Sequence, residues 1–429
     1  METAFLVAVQ LGAAPAPGAR AAAASGALDF APAASAQLAE LRQLTESAGA
    51  HVAGELSQRR AHADPATLIG KGKLEELEAA ARGVDLVIFD NDLSPTQQRN
   101  LEQAIGVRVL ARTQLILDIF ARHARSREGQ LQVELAQLDY LLPRLAGRGT
   151  ALSRLGGGIG TRGPGETQLE TDRRRIRQRI ATLRRSMERI RRQRDQQRQR
   201  RASVPLPVIA LVGYTNAGKS TLFNRLTGAT VLTSPRMFAT LDPTLRSLRL
   251  PSRRNVLLSD TVGFVRDLPP GLVNAFRATL EEVTRASLLA VVADATAPQR
   301  ERQLQQVQQV LRELGVADTP QVQIWNKADR LGDAQPPAAT EGANPLLVSA
   351  ATGAGLDQLL ATLDRQLSLG TLAEVQLRIP HPAGRWLHVL HERGQILHQH
   401  HAADEVELLA RVPQSLLASL GPFLAARKR

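Results

Sequence analysis

Residues 213–220 read Gly-Tyr-Thr-Asn-Ala-Gly-Lys-Ser, which fills every position that the phosphate-loop pattern specifies. The flanks constrain the fold as much as the loop does. Pro207-Val-Ile-Ala-Leu-Val212 precedes it, a short apolar run of the kind that forms a buried strand. Thr221-Leu-Phe-Asn-Arg-Leu226 follows and reads as the start of a helix. Strand, glycine loop and helix in that order imply a mostly parallel, doubly wound α/β sheet. Gly213 and Gly218 allow backbone geometries closed to other residues. The N–H groups of Tyr214, Thr215, Asn216 and Ala217, with the helix start at Thr221, then point at phosphate oxygens. Lys219 is expected on the β- and γ-phosphates, and the Ser220 hydroxyl on Mg²⁺.

Three further motifs follow in the order a GTP site requires. Asp260-Thr-Val-Gly263 comes after the apolar Val256-Leu-Leu-Ser259. Asp260 is placed to hold Mg²⁺ through water, and Gly263 to offer its N–H to a γ-phosphate, with Thr261 and Val262 between them. Asn326-Lys-Ala-Asp329 comes after Val322-Gln-Ile-Trp325. Asp329 accepts two hydrogen bonds from the guanine N1–H and exocyclic amine, donors that adenine lacks on that edge. Asn326, Lys327 and Ala328 complete the motif. Ser349, Ala350 and Ala351, after Leu346-Leu-Val348, bring backbone N–H toward the guanine O6. Each motif is weak or moderate alone. Together, on expected strands, they specify a GTP-binding domain. Between the loop and Asp260 lies Phe238-Ala-Thr-Leu-Asp-Pro-Thr244. Thr240 is the better candidate for a hydroxyl reaching both Mg²⁺ and the γ-phosphate, and Thr244 the second. Phe238, Ala239, Leu241 and Asp242 join the expected nucleotide contacts. Position 264, where related enzymes place a water-orienting Gln, is Phe264. Catalysis is therefore assigned to Lys219, Thr240 and Gly263, and intrinsic hydrolysis is expected to be slow.

Charge points to a polyanion. The chain carries 54 basic and 41 acidic residues, net +13. Residues 173–201 hold fourteen arginines against Glu188 and Asp195, so this stretch alone supplies +12. There is no cysteine, hence no disulfide and no thiolate metal site. That composition fits a cytoplasmic protein. No signal peptide and no membrane span are expected from the first residues or from any apolar run.

The order of patterns implies four parts. Residues 1–112 read as a small α/β domain, with an Ala/Pro/Gly-rich flexible insertion at 12–36 and a capping box at Ser94-Pro-Thr-Gln97. Residues 113–202 read as two long helices, about 114–142 and 166–200, in an antiparallel hairpin. Leu131, Leu135, Leu138 and Leu142 form one seam, and Ile176, Ile180, Leu183, Met187 and Ile190 the other. The tip, residues 147–165, has eight glycines in nineteen residues, with Arg148, Arg154 and Arg162. Residues 203–370 are the nucleotide domain. Residues 371–429 read strand, helix, strand, helix, with the helices at 385–398 and 414–426. His388 and His391 are expected on one helix face, and His398, His400 and His401 in a cluster, without the partners of a metal site.

The chain resembles the HflX family of ribosome-associated GTPases over nearly its full length. The pieces that carry the resemblance are Leu68-Ile-Gly-Lys-Gly-Lys73, Leu93-Ser-Pro-Thr-Gln-Gln-Arg-Asn-Leu101, Leu131-Gln-Val-Glu-Leu-Ala-Gln-Leu138, Gly156 through Glu170, and Phe238 through Thr244. The resemblance implies a cytoplasmic monomer that binds the large ribosomal subunit and splits or rescues stalled ribosomes, or acts in their biogenesis, under stress. Its N-terminal region would approach the peptidyl-transferase centre. The rRNA contacts are assigned to the arginine helix 173–201 and the tip 147–165. The resemblance also implies Mg²⁺ on Ser220 and Thr240, and a hydrophobic residue at position 264. It links the N-terminal domain to ATP as well, though no phosphate loop is present there. A second class of function fits the nucleotide motifs: a GTP switch that regulates a protein partner such as a membrane protease complex, with peripheral membrane association. The arginine helix favours the first class.

Overall fold

The computed structural model describes the chain apart from residues 1, 13–31, 146–163, 202–205, 230–236, 239–243, 267–279, 333–344, 370–371, 394, 403, 414–416, 418–419 and 426–429. By its internal contacts the chain forms two compact units. The first comprises Met1–Gln193, Ser234–Leu241 and Asp267–Arg277. The second comprises Arg194–Thr233, Asp242–Arg266 and Ala278–Arg429.

The first unit opens with β1 (Thr3–Leu11), α1 (Pro32–Ser47), β2 (His51–Arg60), α2 (Lys71–Ala80), β3 (Leu86–Phe89), α3 (Pro95–Ile105) and β4 (Arg108–Ala111). The strands form one parallel sheet in the order β2-β1-β3-β4. Ala4 through Val9 of β1 are buried without alternation, as a parallel strand covered on both faces requires. The capping box at α3 forms as expected. Ser94 Oγ accepts from the Gln97 N–H at 3.1 Å, and the Gln97 side chain accepts from the Ser94 N–H at 3.0 Å. Such a cap is worth about 1 kcal/mol. The helix closes on Gly106 in the left-handed region. α1 starts at Pro32, so the end of the segment expected to be flexible is helical.

The first long helix is not continuous. It is α4 (Arg112–His123) followed by α5 (Arg127–Arg144). Ala124 turns extended, at φ −66° and ψ 109°. Ser126 then caps α5, its Oγ accepting from the Gly129 N–H at 2.9 Å. The second, α6 (Pro164–Arg201), runs unbroken for 38 residues, about 57 Å at 1.5 Å per residue. Ion pairs join α5 to α6: Arg179 meets Glu134 at 2.7 Å and Arg184 meets Asp139 at 3.4 Å. Leu131 of α5 and Ile180 and Leu183 of α6, all on the expected seams, are buried. The expected glycine tip lies outside the described residues, apart from Pro164 and Gly165, which open α6.

The second unit holds a six-stranded sheet in the order β10-β9-β8-β5-β7-β6. Its strands are β5 (Val208–Gly213), β6 (Thr244–Arg249), β7 (Asn255–Asp260), β8 (Leu288–Asp294), β9 (Gln321–Asn326) and β10 (Leu346–Leu347). All neighbours are parallel except β6, which pairs antiparallel with β7. The helices are α7 (Lys219–Thr227), the short α8 (Glu281–Thr284), α9 (Arg300–Glu313) and α10 (Leu356–Leu369). Ile209, Leu211, Phe223, Leu258, Val292 and Leu363 are among its buried core.

A three-stranded antiparallel sheet, β11-β13-β12, closes the chain. It comprises β11 (Leu372–Pro380), α11 (Arg385–Arg393), β12 (Gln395–His401) and β13 (Glu405–Pro413). Two expectations change here. The helix expected to reach residue 398 stops at Arg393, and His398, His400 and His401 lie exposed on β12. The final helix expected to reach residue 426 does not: Gly421–Phe423 is a 3-10 turn, and Leu424 bridges to Leu377 of β11. Among the described residues no cluster of three metal-ligating side chains occurs, and no helix is long and apolar enough to cross a membrane.

A candidate nucleotide site at the strand ends

The four motifs meet at the carboxyl ends of parallel strands β5, β7, β9 and β10, where open α/β sheets place their ligands. Gly213 ends β5 at φ +154°, and a Cβ there would sit 2.1 Å from the Val292 carbonyl of β8. Only glycine lets the loop leave the sheet at this point. Gly218, at φ +89°, is likewise pressed against the Asn326 side chain, 2.3 Å from where a Cβ would lie. Lys219 then opens α7. Its side chain is buried, and Nζ donates to the carbonyls of Gly213 at 3.1 Å and Tyr214 at 2.8 Å. Burial pulls its pKa down from 10.5 to about 8, and the charge of Asp260 pulls the other way.

Asp260 is fully buried at the end of β7, and Thr261 Oγ1 donates to the Leu211 carbonyl at 2.6 Å. The next residues pair with the phosphate loop. The Phe264 N–H donates to the Gly213 carbonyl at 3.0 Å, and the Thr215 N–H, expected on a phosphate oxygen, donates instead to the Phe264 carbonyl at 2.7 Å; the Ala217 N–H likewise turns to the Tyr214 carbonyl at 3.3 Å. The Arg266 N–H reaches the Tyr214 hydroxyl at 2.9 Å. Phe264 itself is 2% exposed, so its ring packs inward and offers no polar group to the site.

Asn326 clamps three segments. Its Nδ2 donates to the Ala217 carbonyl at 2.9 Å, and its Oδ1 accepts from the Ala350 N–H at 3.0 Å. Lys327, at φ +65°, sends Nζ to the Asn216 carbonyl and to Asp294 Oδ2, both at 2.7 Å. Asp329 Oδ1 accepts from Ser349 Oγ at 2.5 Å, and Ser349 Oγ accepts from the Thr352 N–H at 3.1 Å. The carboxylate expected to read guanine is thus oriented by the serine of the last motif. Asp294 was not singled out in the sequence. Burial works against its charge, but hydrogen bonds from Lys327 and Thr296 outweigh this and hold its pKa below the usual carboxylate value. The signal was present: an Asp at the polar end of the apolar Leu288–Ala293 run, as Asp260 ends its own strand.

Ser220 and Thr221 occupy the first turn of α7, and Val262 and Gly263 follow Thr261 out of the sheet. Ala328 and Ala351 lie in the loops after β9 and β10. Ala239, Thr240, Leu241 and Asp242 lie outside the described residues, while Thr244 begins β6. Phe238 is described, and it is a core residue of the first unit. It is 3% exposed, at φ +59°, with its ring edge-on to Phe120 at 4.5 Å between centroids. The neighbouring Met237 N–H donates to Ser47 Oγ of α1 at 2.8 Å.

Comparison with known proteins gives the same assignment. Family models described as GTP-binding GTPase N-terminal, GTP-binding GTPase Middle Region and 50S ribosome-binding GTPase match residues 35–121, 123–201 and 208–327. A GTPase HflX of Caldanaerobacter subterraneus subsp. tengcongensis is 48% identical over 390 residues, 90% of this chain and 90% of its own. The GTPase HflX of Escherichia coli (strain K12) is 46% identical over 353 residues, 81% of this chain and 83% of its own. Among solved structures, a GTP-binding protein from the archaeon Sulfolobus solfataricus in complex with GDP is 25% identical, with a TM-score of 0.42, covering 86% of this chain and 99% of that one. The chain belongs to the GTPase HflX family, and the reaction of that family, GTP hydrolysis, is the one its four strand-end motifs equip it for.

Proposed function

We propose that this GTPase binds the large ribosomal subunit through rRNA and uses its GTP cycle to split or rescue stalled ribosomes under stress, acting in the cytoplasm as a monomer. The observation that carries the reading is α6. Several of its arginines are held in ion pairs: Arg179 and Arg184 with α5, and Arg192 with Glu188 at 2.5 Å. Acidic partners are thus more frequent than the composition of residues 173–201 implied. Arg174, Arg185 and Arg189 nevertheless present exposed side chains on a stiff helix whose residues 173–201 carry +12. Such a face suits a phosphate backbone. The family model described as 50S ribosome-binding GTPase, matched over 208–327, supports the same partner. The proposed division of labour is residues 1–112 and 113–202 for ribosome contact, with 147–165 at the tip, 203–370 for GTP, and 371–429 as a separate small domain.

In the nucleotide domain, Lys219 would exchange its two loop carbonyls for phosphate oxygens, neutralising charge as the γ-phosphoryl group transfers. Gly263 would add its N–H, and Asp329 with Ser349 would select guanine. Hydroxyl and carboxylate oxygens are hard donors suited to Mg²⁺. The fully buried Asp260 carboxylate beside Lys219 is a place where a further cation is electrostatically welcome. Ser220 and Thr240 would hold the ion directly and Asp260 through water; the ion would stabilise charge on the phosphates. Phe264 leaves the attacking water without a side-chain partner at that position, so turnover by the free protein is expected to be slow and to rise with ribosomal particles. The deciding experiment is co-sedimentation with large subunits in a non-hydrolysable GTP analogue, with GDP as comparison. Pelleting only in the GTP form supports the reading. No pelleting in either form removes the ribosome as partner and leaves a GTP switch on a protein.

A further inference from the structure

Thr215 stands at the third position of the phosphate loop, and the functional reading above gives its side chain no task. It is 6% exposed, and its hydroxyl has no hydrogen-bond partner among the described residues. A buried hydroxyl left unpaired is costly, and in a native site such a group calls for an explanation. Its surroundings supply one. A Cβ placed on Gly263 would meet Thr215 Cα at 2.8 Å, Thr215 Cγ2 at 2.9 Å and Lys219 Nζ at 2.9 Å. The threonine side chain, the lysine ammonium and the Gly263 backbone therefore converge on one point. The last two are the groups that a transferring γ-phosphoryl would touch. Hydroxyl and methyl share one Cβ, so a χ1 rotation of about 120° between staggered rotamers carries the hydroxyl to the place the methyl holds and the methyl to the third staggered position. The Thr215 N–H stays on the Phe264 carbonyl at 2.7 Å, so this is a side-chain rotation and not a movement of the loop.

We propose that Thr215 is a catalytic residue of GTP hydrolysis, its hydroxyl donating a hydrogen bond to the γ-phosphoryl group as negative charge redistributes over it. Phe264 brings no polar side-chain atom to this place, and Thr215 does. In the step itself the oxygen of water forms a bond to the γ-phosphorus. The bond from that phosphorus to the bridging oxygen breaks, and its electron pair stays on GDP. The proton released by water ends on inorganic phosphate. Thr215 keeps its own proton and only shares it. The competing account is packing: a small β-branched residue that fits against Gly263, for which valine would serve as well.

The test uses the full chain without ribosomes, comparing Thr215→Val, Thr215→Ala and Thr215→Ser with the parent. Three quantities are measured: single-turnover GTP hydrolysis, affinity for fluorescent GDP, and affinity for GDP in the presence of aluminium fluoride, which mimics the transferring group. Removing one donor of this kind costs about 10²–10³-fold in rate. Val and Ala are expected to lose at least about 100-fold in hydrolysis and a similar factor in the aluminium fluoride complex. Their GDP affinity should stay at the parental value, and Ser should restore most of the rate. Parental hydrolysis in Val and Ala overturns the proposal in favour of packing. So does a Ser variant as slow as Val. Loss of GDP affinity in step with the rate overturns it too, since the loop itself would then be damaged. The measurement needs only the GTPase, so its outcome is independent of the proposed ribosomal partner.

Discussion

Lys219 is expected to make nucleotide affinity depend on pH in a way that an ordinary lysine would not. Burial brings its pKa to about 8, and bound phosphate, by adding negative charge beside the ammonium, must raise it again. Phosphate prefers the charged form. Below about pH 7 the free protein already carries that charge, so Lys219 adds no pH dependence there. Above about pH 8 binding has to take up a proton, and affinity falls toward tenfold per pH unit. With a pKa of about 8, roughly three-quarters of Lys219 is charged at about pH 7.5 and roughly one-tenth at about pH 9. The affinity for GDP should therefore drop about eightfold between those two values, a little over about 1 kcal/mol. A lysine at 10.5 would give a change of only about 3%. Folding of the free protein runs with the opposite sign: between about pH 8 and 10.5 the unfolded chain binds more protons, so stability rises with pH across that window. The assay is titration calorimetry at both pH values in two buffers of different ionisation enthalpy. Uptake of about 0.9 proton per GDP is expected at about pH 9, and almost none at about pH 6.5. Guanine also loses a ring proton in alkali, so Lys219→Met is the control: it should bind weakly and lose the extra pH dependence. If parent and variant lose affinity in parallel, or the parent takes up no proton, Lys219 is not the titrating group and the argument from its burial fails.

Three further outcomes follow from contacts already described. Asp329→Asn replaces an acceptor for the guanine N1–H with a partial donor, so GTP affinity should fall and xanthosine triphosphate affinity rise; unchanged nucleotide titrations would count against Asp329 as the base reader. Arg112 is buried between Asp90 and Glu40, at 2.6 Å from each, and Arg112→Leu takes the guanidinium away from the buried Asp90 carboxylate. Loss of about 3–5 kcal/mol in the first unit is expected in urea unfolding, and a loss below about 1 kcal/mol would contradict a structural role for the pair. Replacing Arg174, Arg185 and Arg189 together by Gln should lower the salt dependence of large-subunit binding by about 0.7–0.9 in log–log slope per contact removed, with GDP affinity unaltered. An unchanged slope returns those arginines to the role of a solvated helix face.

What was legible in the sequence follows from the range of the interactions involved. The placement of Gly213, Lys219, Asp260, Asn326, Asp329 and Ser349 at strand ends could be read because each lies in a motif a few residues long behind its own apolar strand. The cap on α3 is local for the same reason, and so is the hairpin seam, whose spacing repeats along each helix. The break after His123 was missed although Ala124 is the only apolar side chain between Ala121 and Leu131; Phe120 and Leu131, eleven residues apart, still fall on one helical face. The Ser126 cap that restarts the chain is followed by Gly129 at its N3 position rather than the Glu or Gln that makes a capping box readable. His398 to His401 were misread because the stretch after Arg385 has no strict alternation. Its strand character comes from pairing with β13, where His400 faces Glu407 and His398 faces Leu409. Phe238 shows the limit most clearly. Its place beside the candidate Thr240 marked it as a nucleotide contact, yet its ring is packed on Phe120, a partner 118 positions earlier that no local pattern announces. An aromatic pair of that kind is worth about 0.5–1.5 kcal/mol beyond the area it buries. Displacing the Phe238 ring gives up the Phe120 contact even where the neighbouring Met237 N–H keeps its hydrogen bond to Ser47 Oγ.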